Sequence, residues 1–180
     1  MLPIEFKQHI IEDVLTDEGL SAHPELVERL SRFVRFDEPT PTSHSVSKDA
    51  IEFPLVSGLP FDSPPFLSFE AYSQAQLTEL YDLCDMPKTI FPLGHNGSGD
   101  TIEIELSFQE IVYLNHDCDM QRVFINSSVA QFAESLFWYR KFLKQRHVDE
   151  LLAKLHVFDL AAAAKGTMWQ IEAAIDPYLD

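Results

Sequence analysis

Basic residues are scarce in this chain. Of its 180 residues, 13 are Lys or Arg and 29 are Asp or Glu, a formal net charge of −16. A field of that sign repels nucleic acid and anionic membrane surfaces and draws in basic partners. Cysteine is nearly absent: Cys84 and Cys118 stand alone, in neither a C-x-x-C pair nor a zinc spacing. That excludes a disulfide framework or a metal knuckle and fits two free thiols in a reducing compartment. Long apolar runs are missing too; none approaches the roughly 18–20 residues that span a bilayer. The opening Met1-Leu2-Pro3-Ile4-Glu5 has no basic region followed by an apolar stretch, so no secretory signal is expected and the expected location is the cytoplasm.

Hydrophobic residues make up 46 % of the chain, enough for a core in one domain of this length. The acidity is concentrated in the middle. From Asp49 to Gln121 thirteen acids face a single base, Lys88, a net of −12.

Periodicity divides the chain into four parts. Residues 1–36 read as helical: Phe6, Ile10, Ile11 and Val14 recur at helical spacing, and a second helix starts at Pro24 with Val27, Leu30 and Val34 as its stripe. Residues 37–50, rich in Pro, Ser and Thr, read as a loop. Residues 51–125 read as a sheet region, with strands expected at Ile51–Val56, Phe66–Tyr72, Thr89–Leu93, Thr101–Leu106, Ile111–Leu114 and Arg122–Ile125, and a short helix at Gln76–Cys84. The strand spacing suggests an antiparallel meander. Residues 126–180 read as helices. Ser128 with Gln131 and Thr167 with Gln170 fit capping boxes, and Val129, Phe132, Ala133, Leu136, Tyr139 and Leu143 form a buried stripe. A further helix is expected over Asp149–Lys165.

Three constellations invite a chemical reading. The loop Gly94-His-Asn-Gly97-Ser-Gly-Asp100 is neither a Walker motif nor a dinucleotide fingerprint, because a strand follows it where a helix N-terminus is required. It reads as a hairpin connection. His116-Asp117-Cys118-Asp119 holds the side chains a metal or a thiol catalyst uses, but no second ligand pair accompanies it, and it reads as a solvated turn. Glu103 and Glu105 are candidate paired carboxylates; strict alternation with Ile102, Ile104 and Leu106 sends them to the polar face of their strand. No nucleophile–base–orienter set, metal site or cofactor motif emerges.

The segments Phe91-Pro-Leu-Gly94-His-Asn-Gly97, Glu110-Ile-Val-Tyr113-Leu and Val123-Phe-Ile-Asn126-Ser127-Ser128-Val-Ala-Gln-Phe132 resemble the SUKH superfamily of immunity proteins, in particular its fourth immunity group. Asp159-x-x-Ala162, Trp169-x-x-Ile-Glu172 and Gly58-Leu-Pro60 extend the resemblance to roughly residues 55–175; residues 1–50 lie outside it. It implies a single α+β domain over 1–180, with a curved, mostly antiparallel sheet packed against helices. It also implies a non-enzymatic protein that binds and blocks a cognate toxin, a basic one by charge and in many such systems one that acts on nucleic acid. No partner-binding residue carries over from the family.

On the residues themselves, Gly94, Gly97, Asn126, Ser127, Ser128, Phe132 and Trp169 are expected to serve the fold. The two glycines would do so through unusual backbone angles, and Asn126 and Ser128 through helix-start amides. Partner binding is expected at Glu103 and Glu105 and on the turn at Asp117 and Asp119. Two other classes remain open: an adaptor or regulatory protein of the same fold, and a small enzyme or nucleotide-binding protein using the glycine loop and His116.

Overall fold

A computed structural model describes residues 1–36, 48–83 and 89–175. Among these, the elements in chain order are α1 (Pro3–Leu15), α2 (Pro24–Ser31), β1 (Phe33–Val34), α3 (Lys48–Val56), β2 (Leu59–Pro60), β3 (Asp62–Ser63), β4 (Leu67–Phe69), α4 (Gln74–Leu83), β5 (Ile90–His95), β6 (Thr101–Glu105), β7 (Glu110–Asn115), β8 (Gln121–Asn126), α5 (Val129–Gln145), α6 (Glu150–Phe158) and α7 (Met168–Ala174). Single 3₁₀ turns cover His116–Cys118 and Leu160–Ala163. Strands β3 to β8 form one sheet in sequential order, every neighbouring pair antiparallel, and the fold is α+β with helices at both ends of the chain. No helix among the described residues is long and apolar enough to cross a membrane.

The sheet is covered on two sides. Alternation puts Ile102, Ile104, Ile111, Tyr113, Val123 and Ile125 on the face that meets α5, in one cluster with Phe132, Leu136, Leu155 and Trp169. Phe132 sits at its centre, its ring 5.8 Å from that of Phe69 and 6.4 Å from that of Trp169. Helix α1 joins the same cluster through Phe6 and Ile10. Charge ties it further: Arg140 Nε of α5 donates to Asp13 at 2.6 Å, and Lys144 Nζ lies 2.9 Å from both Asp13 and Asp17. On the opposite face Ile90 and Val112 are buried outside that cluster. Helix α4 is anchored there, Tyr81 Oη donating to the Ile90 carbonyl at 2.8 Å.

Four expected elements differ from the structure. Ile51–Val56 is not a strand but the end of α3. Phe53 packs on Phe6 with ring centroids 5.5 Å apart, and that contact overrides the strand propensity of a mostly apolar hexapeptide. The stripe of α2 does not reach Val34: the helix stops at Ser31, and Phe33–Val34 pairs with Leu59–Pro60. The strand expected from Phe66 to Tyr72 is only Leu67–Phe69, because Phe66 takes a left-handed backbone (φ 58°) in the turn before it. The helix expected over Asp149–Lys165 breaks at Asp159, whose backbone leaves the helical region (φ −151°, ψ 79°). Most of the expected loop at 37–50, along with Cys84 and the chain beyond Ile175, lies outside the described residues; Lys48 already belongs to α3.

Candidate functional site

The most connected polar cluster lies where β8 runs into α5. Asn126, fully buried, donates from Nδ2 to Ser135 Oγ (2.9 Å) and to Asp159 Oδ2 (2.8 Å), and its Oδ1 accepts from the Trp169 indole N–H at 2.8 Å. Ser127 gives Asp159 two more donors, its amide at 2.9 Å and its hydroxyl at 2.8 Å. This is the physical reason for the break after α6: Asp159 leaves the helix to receive three hydrogen bonds. Asn126 therefore does not cap α5, as expected from sequence; it bolts strand, helix and α7 together. Ser128 does cap, accepting from the Gln131 amide at 3.2 Å, and Thr167 caps α7 in the same way. With its groups saturated, the junction is architecture.

Gly94 and Gly97 also serve the fold: Gly94 combines a positive φ of 156° with a close approach of the neighbouring strand, and Gly97 acts by space alone. A Cβ on Gly94 would sit 2.1 Å from the Ser68 carbonyl oxygen of the neighbouring strand, and one on Gly97 3.0 Å from the Phe66 Cβ. In this loop it is Gly99 that takes a clearly left-handed backbone, at φ 87°.

The expected acidic face requires correction. Glu103 is only 2 % exposed. The sheet's second face is covered, so alternation carries Glu103 under other residues instead of into water. Burial, reinforced by Glu105 and opposed by Arg122, pushes its carboxyl up to about 7. Glu105 is partly exposed but already paired: Arg122 donates to it from Nε (2.9 Å) and Nη2 (2.7 Å), and Arg122 also holds Glu110. These carboxylates are committed within the molecule and do not form a free docking face.

Asp117 and Asp119 are placed as expected, on an exposed turn between β7 and β8. That turn is locked to the glycine hairpin by Asp100, a buried carboxylate. Asp100 Oδ1 accepts from the His116 amide at 3.0 Å and from the His116 ring Nδ1 at 2.6 Å; Oδ2 accepts from Asn96 Nδ2 at 2.8 Å. Burial alone would raise the Asp100 carboxyl, but the donors from His116 and Asn96 outweigh it and hold it below the usual range. The hydrogen bond to Asp100, then the nearby Asp117, raises His116. A carboxylate–imidazole pair is half of an acid–base triad. Here the other ring nitrogen, His116 Nε2, faces Asp117 Oδ1 at 3.3 Å, a carboxylate and not a nucleophile. Among the described residues no three His, Cys, Asp or Glu side chains gather as metal ligands would.

Beside these hairpins a cleft of about 290 Å³ opens between the turn Pro65–Leu67, the loop Asn96–Ser98, Tyr113, and the Met168 and Glu172 side chains of α7. Its walls come from four distant parts of the chain. The Asp100–His116 bonds fix one wall, and the Asn126–Trp169 bond fixes the helix that carries another. Phe66 stands at its mouth, 85 % exposed. Sequence reasoning missed this cleft. The available signals were Phe66 after two prolines and Glu172 one turn past Met168, neither of which announces a partner.

No family model matches the chain, and no curated protein or solved structure matches it.

Proposed function

We propose that this protein acts without catalysis, as a cytoplasmic immunity protein that binds a basic toxin and blocks it by occupying its surface. The observation that carries the reading is the end of the sheet. There Asp117 is 75 % exposed, Asp119 stands near it, and Phe66 projects at a cleft whose wall carries one acid, Glu172, in a chain of net charge −16. Aromatic anchors within a charged rim suit a protein interface, and the field favours rapid capture of a cationic partner. The resemblance to SUKH immunity proteins supports the same reading. Asn126 and Ser127 of its most specific block, Asn126-Ser127-Ser128 to Phe132, bond to Asp159 and Trp169 of the further C-terminal segments that extend the resemblance.

The test is co-expression with the product of the adjacent gene. The expected outcome is a stable complex and rescue of growth from that product's toxicity. A toxic neighbour that is neither bound nor neutralised would overturn the immunity role. A non-toxic protein bound in its place would point to the adaptor class.

A further inference from the structure

Resting on that reading but going beyond it, we infer that the cleft between Phe66, Gly97, Tyr113 and Glu172 is the receptor for a single arginine side chain of the partner protein. The first ground is bonding capacity turned to the cleft. Tyr113 is more than nine-tenths buried and lines the cleft; its hydroxyl makes no hydrogen bond to the described residues and is not sealed off, so its bonding side is open to the cleft. Glu172, half-buried on the opposite wall, has neither a hydrogen bond nor an ion pair among them. Burial raises both groups, and Asp100 and Glu172 are among the charges that raise Tyr113, so hydroxyl and carboxylates share one region of negative potential. The group that answers this pair is a cationic donor entering the cleft.

The second ground is Phe66. A bulky residue with φ 58° is a backbone outlier, and an 85 % exposed phenyl ring gains nothing from burial. Held strain at an exposed aromatic is a reason to look for a ligand. Its ring at the mouth offers a face to a cation, and a planar guanidinium stacks there while its fork reaches Glu172. Lysine, a point charge, uses only part of this arrangement. The third ground is size. At about 290 Å³ the space lies at the lower limit of small-molecule pockets, which run from roughly 300 to 1,000 Å³, and it suits one long side chain better than a cofactor.

The experiment is an NMR titration of the full chain with a capped Gly-Arg-Gly peptide at millimolar concentrations, against the same peptide with citrulline in place of arginine. Expected are shifts of the Gly97 amide and the Met168 methyl with the arginine peptide and none with citrulline, which keeps the shape and loses the charge. E172Q should weaken the arginine peptide by about tenfold, the loss of one charge-assisted pair. F66G should weaken it too while melting no lower than the parent, because glycine relieves the left-handed strain. Absence of shifts at Gly97 and Met168, or equal binding of citrulline, or undiminished binding in a folded E172Q, overturns the inference. The titration needs no toxin, so its failure and failure of the immunity reading are separate results.

Discussion

Two regions of this molecule are rich in polar groups, and they are built on opposite terms. At the Asn126–Asp159–Trp169 junction each donor meets an acceptor inside the protein, nothing is exposed, and three elements are fixed relative to one another. At the end of the sheet the hairpins are just as firmly tied, through Asp100, but the groups that point outward stay open to solvent: Asp117, its carboxylate held by the exposed His116 ring, and Asp119 face water, Phe66 projects, and the Tyr113 hydroxyl and Glu172 face an open cleft. The difference separates polarity that stabilises the fold from polarity that, on the proposed reading, is held ready for another molecule. It also links the two regions, since the Trp169 bond to Asn126 sets the helix that presents Glu172.

Substitutions at the junction should have the largest effect. Trp169→Ala and Phe132→Ala each remove a ring from the centre of the core and should lower unfolding free energy by about 3–5 kcal/mol. Asn126→Ala strands the Trp169 indole N–H and should cost roughly 1–3 kcal/mol beyond lost packing. Chemical denaturation reads both; a cost under about 1 kcal/mol for Phe132→Ala would contradict the packing described.

Glu103 lies between the two regions in character and gives the next largest effect. Its carboxyl ordinarily releases its proton near 4.5 and here near 7, so the folded state holds the proton more tightly than the unfolded chain. Stability contributed by the neutral acid is full below about 4.5, falls as pH rises towards 7, and is lost above it. Glu103→Gln should remove that slope and stabilise the protein at pH above 7 by on the order of 2 kcal/mol. Glu103→Lys should destabilise it by about 3 kcal/mol or more, as an unpaired buried charge does. Melting curves from pH 4 to 8 decide this. A Lys variant that melts with the parent would return Glu103 to the surface.

The sheet end should show the smallest change in stability and the largest in association. Reversing Asp117 and Asp119 to Lys should leave stability within about 0.5 kcal/mol. It should also slow capture of a basic partner and flatten the fall of the parent's rate with salt. Stopped-flow association at low and high ionic strength measures both. An unaltered rate in the double variant would remove this turn from the interface. His116 adds a weak pH dependence in the same direction as Glu103: being raised, it contributes below its ordinary value of 6.5 and the contribution fades as pH rises through the raised value. His116→Gln should flatten the melting curve slightly across that range.

Local chemistry determined much of this protein. The period-2 alternation of Thr101–Glu105, the long apolar stripe of α5 and the caps at Ser128 and Thr167 were legible because each depends on residues a few positions apart, and the strand spacing added the antiparallel meander. Tertiary structure alone decided the rest. Alternation says that Glu103 opposes Ile102 and Ile104, but not that its own face is covered as well. An apolar run at Ile51–Val56 is compatible with strand or helix, and only the ring of Phe6 selects between them. The partners of Asn126 lie 9, 33 and 43 residues away, and the cleft gathers its walls from Pro65 to Glu172. Side-chain periodicity specifies a direction relative to the local backbone. What stands in that direction is set by chain segments that meet only on folding, and in this protein both the buried carboxylate and the open cleft are products of that meeting.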